Sequence, residues 1–456
     1  MKFILKFSLI PLLLHTLTSH ATLTVTNIAA GGAYSLFLKS DGSLWVVGAN
    51  NSGQLGDGST NPGTYKTNKP ENIVASGVMA TAAGISHSLF LKSDGSLWAM
   101  GDNSSGQLGA GPINKTNRPQ QIVFSGVTTI TAGQDHSLFL KSDSSLWGMG
   151  ENNFGQLGDG TFRYSTNRPE QIVTGAVMAI AAGGAHSLFL KSDGSLWAMG
   201  YNAYGQLGDG TTNNVNQPEQ IVASGVTAIA AGQLHSLFLK SDGSLWAMGY
   251  NAYGQLGDGT TNNVNQPEQI VASGVTTIAG GGLHSLFLES DGSLWAMGYN
   301  AWGQLGSGTY YNTNKPEQVV ASGVTTIAAA VSHTLFLKSD GSLWATGYNY
   351  YGELGDGFID NGSPFGTSTP EQIIPSPSQA LLDSRASKTN LQFTATCGFG
   401  GTFYLLAGTN LTQPLSQWTP VATNIINNRT NNLFSATLTN AVNSSNAQQF
   451  YIIRSQ

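Results

Sequence analysis

The chain has 456 residues, of which only 10% are charged, with 19 Lys and Arg against 25 Asp and Glu and a formal net charge of −6. It has no basic patch or basic tail, which disfavours nucleic acid binding, because that needs clustered Lys and Arg to displace counterions. The single cysteine, Cys397, cannot form an intramolecular disulfide, so stability has to come from packing, and the chain is long enough to bury a large core.

Residues 1–21, MKFILKFSLIPLLLHTLTSHA, have the pattern of a signal peptide. Lys2 and Lys6 form a positive n-region, Phe7 to Leu14 an apolar core, and Ser19-His20-Ala21 places small residues at the two positions read by the peptidase. The apolar run is well short of the roughly 20 residues a membrane span needs, and no other stretch reaches that length. The mature protein is therefore expected to begin near Thr22, to leave the cytoplasm and to carry no membrane span. Without Lys2 and Lys6 it holds 17 basic against 25 acidic residues, a net charge of −8.

Residues 22–374 contain one unit written seven times. Its tryptophans, Trp45, Trp98, Trp147, Trp197, Trp246, Trp295 and Trp344, mark the register, at spacings of 53, 49, 50, 49, 49 and 49 residues. Self-similarity at this period means a repeat architecture. In the fourth copy, VMAIAAGG carries, apart from Met178, small or β-branched side chains and reads as a first strand. In HSLFLKS, Leu188 and Leu190 point one way and Phe189 the other. Asp193-Gly194 suits the two φ > 0 positions of a type I′ turn, and SLWAMG returns antiparallel with Leu196 and Trp197 on opposite faces. A Gly- and Asn-rich loop then leads through Pro218 to a short strand, EQIV. Middle strands that are apolar on both faces need cover on both sides, and four-stranded sheets packed face to face around an axis provide it. The expectation is an all-β chain with a seven-bladed propeller whose first strands are innermost. The sequence leaves open whether each PEQIV strand belongs to its own blade or to the next.

The repeated AAGxxHSLFL followed by DGSLWxxGxNxxGQLGDG resembles the regulator of chromosome condensation repeat family, over roughly 350 residues. That resemblance implies a seven-bladed propeller. The family's best-known member is a nuclear exchange factor for a small GTPase, and a secreted member inhibits β-lactamases. The even spacing here leaves no room for an inserted wedge, no basic tail precedes the first blade, and export puts the chain in another compartment. Fold transfers and activity does not.

Two departures from the repeat are informative. The third blade has Ser144 where the others have the turn glycine, so that turn is expected to be strained or of another type. The first has Tyr34 where the other six have His. Residues 186–226 and 235–275 are identical, the mark of a duplicated blade.

Residues 375–390 read as a linker, rich in Pro and Ser at the start and without periodicity. Within 391–456, LQFTATC, TFYLLAGT, LFSATLT and QQFYIIR read as strands of a small β-sandwich-like domain. The phrase TFYLLAGTNLTQPLSQWTPVATN resembles short C-terminal modules of secreted bacterial proteins, some of them linked to surface sorting.

The recurring histidines, His87, His136, His186, His235, His284 and His333, are one per blade, so a ring disperses them, whereas zinc needs three or four ligands about 2 Å from one point. Structural imidazoles at blade junctions are the simpler expectation. Asp193-Gly194 and its equivalents fit ordinary turn chemistry better than calcium, which needs 6 to 8 converging oxygens. GQLGDG lacks the lysine and following helix of a phosphate loop. The Ser-His pairs occur in nearly every blade, whereas a nucleophile set would be a single exception to the repeat. No catalytic, metal or cofactor site is expected.

Binding specificity should lie where blades differ. The position before the glycine of GQLG reads Ser52, Ser105, Phe154, Tyr204, Tyr253, Trp302 and Tyr351. The position before the blade's Asn reads Ala49, Asp102, Glu151, Tyr201, Tyr250, Tyr299 and Tyr348. Loops beyond GQLG add Tyr65, Phe162, Tyr164, Tyr310, Tyr311, Phe358 and Phe365. The expected protein is an exported, monomeric, non-enzymatic binding or adhesion scaffold without cofactor. Its aromatic rim would receive a protein or a glycan. The bland alternative is that these rings only pack onto the neighbouring blade. A protein inhibitor or exchange-factor-like regulator is the alternative that the resemblance implies.

Overall fold

The computed structural model describes residues 23–59, 66–360, 362 and 365–375, and beyond them the backbone of strands within 383–455. The signal-like segment and Tyr65 lie outside the described residues. Seven four-stranded antiparallel sheets, each with its strands in chain order, form a seven-bladed β-propeller. The fourth blade is typical, with strands Val177–Ala182, His186–Lys191, Leu196–Gly200 and Val215–Val222. Cross-strand register aligns Ile180, Phe189 and Trp197 on one face, and Leu188 with Ala198 and Leu190 with Leu196 on the other.

Both faces are used, as the doubly apolar middle strands require. Phe189, Met199 and Trp197 pack on Leu138, Leu140 and Leu146 of the third blade. Leu188, Leu190, Leu196 and Ala198 receive Phe238, Met248 and Trp246 of the fifth. Each blade thus presents its aromatic face backwards and its leucine face forwards. One interface motif repeats around the ring.

Every PEQIV strand belongs to its own blade, including Gly366–Ile374 in the seventh, which pairs with Leu343–Tyr348. Among the described residues, no strand crosses the closure. The ring closes by packing, with Val25, Ile28 and Phe37 of the first blade against Leu335, Leu337 and Leu343 of the seventh. Asn68 and Gly357 add reciprocal hydrogen bonds of 2.6 and 2.8 Å across the same junction. The outer strands lie at the sheet edges, where the preceding blade's loop bonds to them, and their Pro and Glu residues discourage pairing with another chain.

The hairpin turn differs from the type I′ expectation. Gly194 has φ 78°, but among the described residues the only non-glycine positions with positive φ are Ser144 and Ala176, so Asp193 does not share it. Gly194 N–H donates to Lys191 O and Lys191 N–H to Ser195 O, each at 3.0 Å. This is a type I turn followed by a left-handed residue, the three-residue hairpin connection. The aspartate's role is to accept from the Ser195 backbone N–H at 2.9 Å. Ser144 adopts φ 61° and keeps the same two hydrogen bonds, so the third blade has the same turn, in a conformation disfavoured for serine.

Beyond the propeller, the backbone forms two three-stranded sheets. Asp383–Ser387, within the stretch read from composition as a linker, pairs with Asn390–Thr396, which pairs with Leu433–Leu438. Thr402–Gly408 lies between Thr419–Ile425 and Phe450–Ser455.

Candidate binding face

Antiparallel alternation puts the turn between the first two strands and the GQLG loop on one face of the disc, and the Asp-Gly turns on the other. Beneath the first face runs a belt of buried histidines. Nε2 of His87, His136, His186, His235, His284 and His333 each lies 2.9–3.0 Å from the hydroxyl of Ser137, Ser187, Ser236, Ser285, Thr334 and Ser35, always on the next blade. Each of these hydroxyls donates to the carbonyl of Gln107 or its equivalent in the preceding blade, at 2.7–2.8 Å. The hydroxyl therefore accepts from Nε2–H, and the ring is neutral with Nδ1 unprotonated. Burial holds five of these imidazoles at pKa about 3 and His235 at about 4. These are junction fasteners. Tyr34 takes the same place in the first blade and donates to the His87 carbonyl.

Each GQLG loop is built by its preceding asparagine. Asn202 Oδ1 accepts from Leu207 N–H at 2.9 Å, and its Nδ2 donates to Asp209 at 3.0 Å. The loop presses on the outer strand of the next blade, where a Cβ on Gly205 would meet Asn265 Cα at 2.4 Å. The glycine of this motif therefore serves close backbone approach. At the axis, a cavity of about 100 Å³ is lined by residues of all seven first turns, none of them titratable. Among the described residues, no three His, Cys, Asp or Glu side chains converge as metal ligands would.

Above the belt, the structure brings the variable aromatic positions together. All nine named rim residues are half-buried. Phe154, Tyr201, Tyr204, Tyr250, Tyr253 and Tyr299 form one run of ring contacts, with centroids 4.7–6.2 Å apart. Trp302, Tyr348 and Tyr351 form a second, joined by Tyr350 and Phe365. Each run crosses blade junctions, so the rings do pack on the neighbouring blade. They also remain partly exposed. Burial pushes the phenols of Tyr201, Tyr250 and Tyr299 upward, and Tyr348 to about 12 with the Glu353 carboxylate adding. Phe162, Tyr164 and Tyr311 stand apart on exposed outer loops, and Tyr310 bonds Gly366 O at 3.0 Å.

Two features escaped the sequence. The first is Asp135, in the variable position before a belt histidine. It is adjacent to Glu151, whose N–H donates to its backbone carbonyl at 2.8 Å. Gln107 Nε2 bridges Asp102 at 2.9 Å and Asp135 at 3.3 Å. The second is the fate of that glutamine amide elsewhere. In the third blade Gln156 Nε2 donates to Glu151 at 3.3 Å. In blades four to six a tyrosine replaces the carboxylate, and the buried Nε2 of Gln206, Gln255 and Gln304 has no hydrogen-bond partner.

The family described as RCC1-like domain matches residues 8–274, and RCC1 repeats match 291–337 and 324–353. The Danio rerio protein RCC2 homolog is 38% identical over 82 residues, 17% of this chain and 16% of that protein. The human probable E3 ubiquitin-protein ligase HERC6 is 37% identical over 91 residues, 19% of this chain and 9% of that protein. The matched stretches thus span less than a fifth of either relative. Among solved structures, human WBSCR16 superposes with a TM-score of 0.65 at 25% identity, covering 75% of this chain and 96% of that one. Prp20p from Saccharomyces cerevisiae, whose structure was described with its binding to Gsp1p and histones, gives 0.66 at 21% identity, covering 76% and 90%.

Proposed function

This chain belongs to the RCC1-like domain family, and from that premise we propose that it is an exported, non-enzymatic scaffold whose aromatic face binds a protein or a glycan. The observation that carries the reading is the asymmetry of the arc. The surrounding repeat is nearly invariant, yet the rings occupy blades three to seven only. At the position before the blade's Asn, Tyr201, Tyr250 and Tyr299 stand where acidic side chains satisfy the glutamine amide in blades two and three. An orphaned buried donor costs about 1–3 kcal/mol. A purely structural arc would give up three such bonds for packing that the first two blades do without. Half-exposed, mutually braced rings make good interface anchors, because little rotamer freedom remains to be lost on binding.

The first two blades supply the control substitution. Ser52 and Ser105 keep the loop bond of backbone N–H to the glutamine side chain, at 2.8 and 2.9 Å, as Tyr204 does at 3.1 Å. Serine at Tyr204, Tyr253, Trp302 and Tyr351 together should therefore preserve the fold. The test is a pull-down from the extracellular fraction with wild type and the fourfold serine variant. Wild type should recover a partner that the variant loses while its thermal unfolding shifts by only a few degrees. A mature chain isolated from that fraction should begin near Thr22. Equal recovery by both proteins, or an intact Met1 on a cytoplasmic product, would refute the reading.

A further inference from the structure

We propose that the occupant of this face is a basic polypeptide segment, its aliphatic and cationic side chains laid across the aromatic arc and anchored at one end by Asp102, Asp135 and Glu151. The inference rests on the binding-scaffold reading above and narrows it. Three rows of positions lie on this face around the axial cavity: those before each belt residue, before each blade asparagine, and before each GQLG glycine. Of these 21 positions only Asp102, Asp135 and Glu151 are charged, and all three are acidic. They are also neighbours. Glu151 and Asp135 are bonded through the backbone, and Gln107 ties Asp135 to Asp102. Burial, with Glu151 and then Asp102 beside it, pushes the Asp135 carboxyl up to about 6, so the group is crowded by like charge. Lys115 is the base in register opposite Asp102, but among the described residues the only ion pairs belong to Arg163, on an outer loop.

The acidic trio and the arc are one continuous strip. Glu151 shares its blade with Phe154, whose ring meets Tyr201 at 4.8 Å, and the run of rings continues from there. Carboxylates with no cationic partner among the described residues, beside partly exposed aromatic rings, favour Lys and Arg, which pair with the first and lie over the second. A neutral sugar polymer would use the rings and leave the carboxylates uncompensated.

The test uses the full chain and a synthetic peptide of about twelve residues alternating lysine and glycine, its Nε-acetylated counterpart, and cellohexaose. Calorimetry should show the lysine peptide binding and the acetylated one binding at least tenfold more weakly. D102N/D135N/E151Q should weaken the lysine peptide about tenfold or more with unfolding unchanged, since an amide oxygen still accepts from Gln107. The fourfold serine variant should weaken it as well, and raised salt should weaken it in wild type but not in D102N/D135N/E151Q. Equal binding of both peptides, indifference to the triple variant, or no binding of the lysine peptide overturns the proposal. If cellohexaose binds instead and the serine variant loses it, the rim reading stands with a glycan occupant. If the lysine peptide binds but the serine variant retains it, the rim reading fails.

Discussion

Ser144 shows what a single residue contributes when its neighbours are fixed by repetition. Six blades place glycine at the left-handed turn position, and the third places serine there at φ 61° without altering the turn's hydrogen bonds. A Cβ in that region costs about 1–2 kcal/mol per residue. Ser144→Gly should therefore stabilise the protein by about 1 kcal/mol, read as a higher urea midpoint at unchanged slope. No change would mean the serine hydroxyl compensates locally. The strain was legible from one letter in a repeat. The turn type was not, because Asp-Gly suits both a type I′ turn and the observed type I turn with a left-handed glycine.

Within the blade, the tryptophan is a brace at the outer edge of the interface. Trp197 stacks on Phe189 at 6.0 Å, lies beneath the Lys191 ammonium at 3.8 Å and donates through Nε1 to Ser195 at 2.9 Å, while remaining half-exposed. Fully buried large aromatics cost about 3–5 kcal/mol on truncation to alanine. Trp197→Ala should fall at or below the lower end, about 2–3 kcal/mol by chemical denaturation. A loss under about 1 kcal/mol would show that the fully buried Phe189 and Met199 hold that interface without it. The facing of these strands followed from strict alternation in HSLFLK and LWAMG. The depth of the ring did not, because alternation gives a face and not a distance from the rim.

At the scale of the whole ring, the histidine belt predicts how the protein fails. Each imidazole has its pKa lowered by burial, from 6.5 to about 3, or about 4 for His235. The unfolded chain therefore takes up protons below pH 6.5 that the folded ring cannot accept. Stability is present above that pH and is lost as pH falls toward the folded values, by up to about 1.4 kcal/mol per pH unit for each histidine. Six such groups acting together exceed a typical net stability of about 5–15 kcal/mol within one or two units. Circular dichroism should show cooperative acid unfolding between about pH 4 and 6, with uptake of several protons. A propeller that stays folded at pH 3 would contradict the neutral, buried assignment.

The sequence by itself determined the blade count, the strands of each blade, their two apolar faces and the positions at which blades differ. Each of these is encoded within one period, through alternation and turn residues. Tertiary structure decided everything that passes between periods. Both blade frames give the same local pattern, so only closure shows that the seventh PEQII strand stays with its own blade and that packing of Val25, Ile28 and Phe37 seals the ring. His186 reaches Ser236 in the next blade, and equivalent serines stand in every blade, so a single sequence cannot say which one it meets. Asp135, Glu151 and Asp102 lie far apart along the chain and came together because strand pairing within a blade and Gln107 between blades set them on one face. Repetition makes the unit unmistakable, and for the same reason it hides which copy touches which.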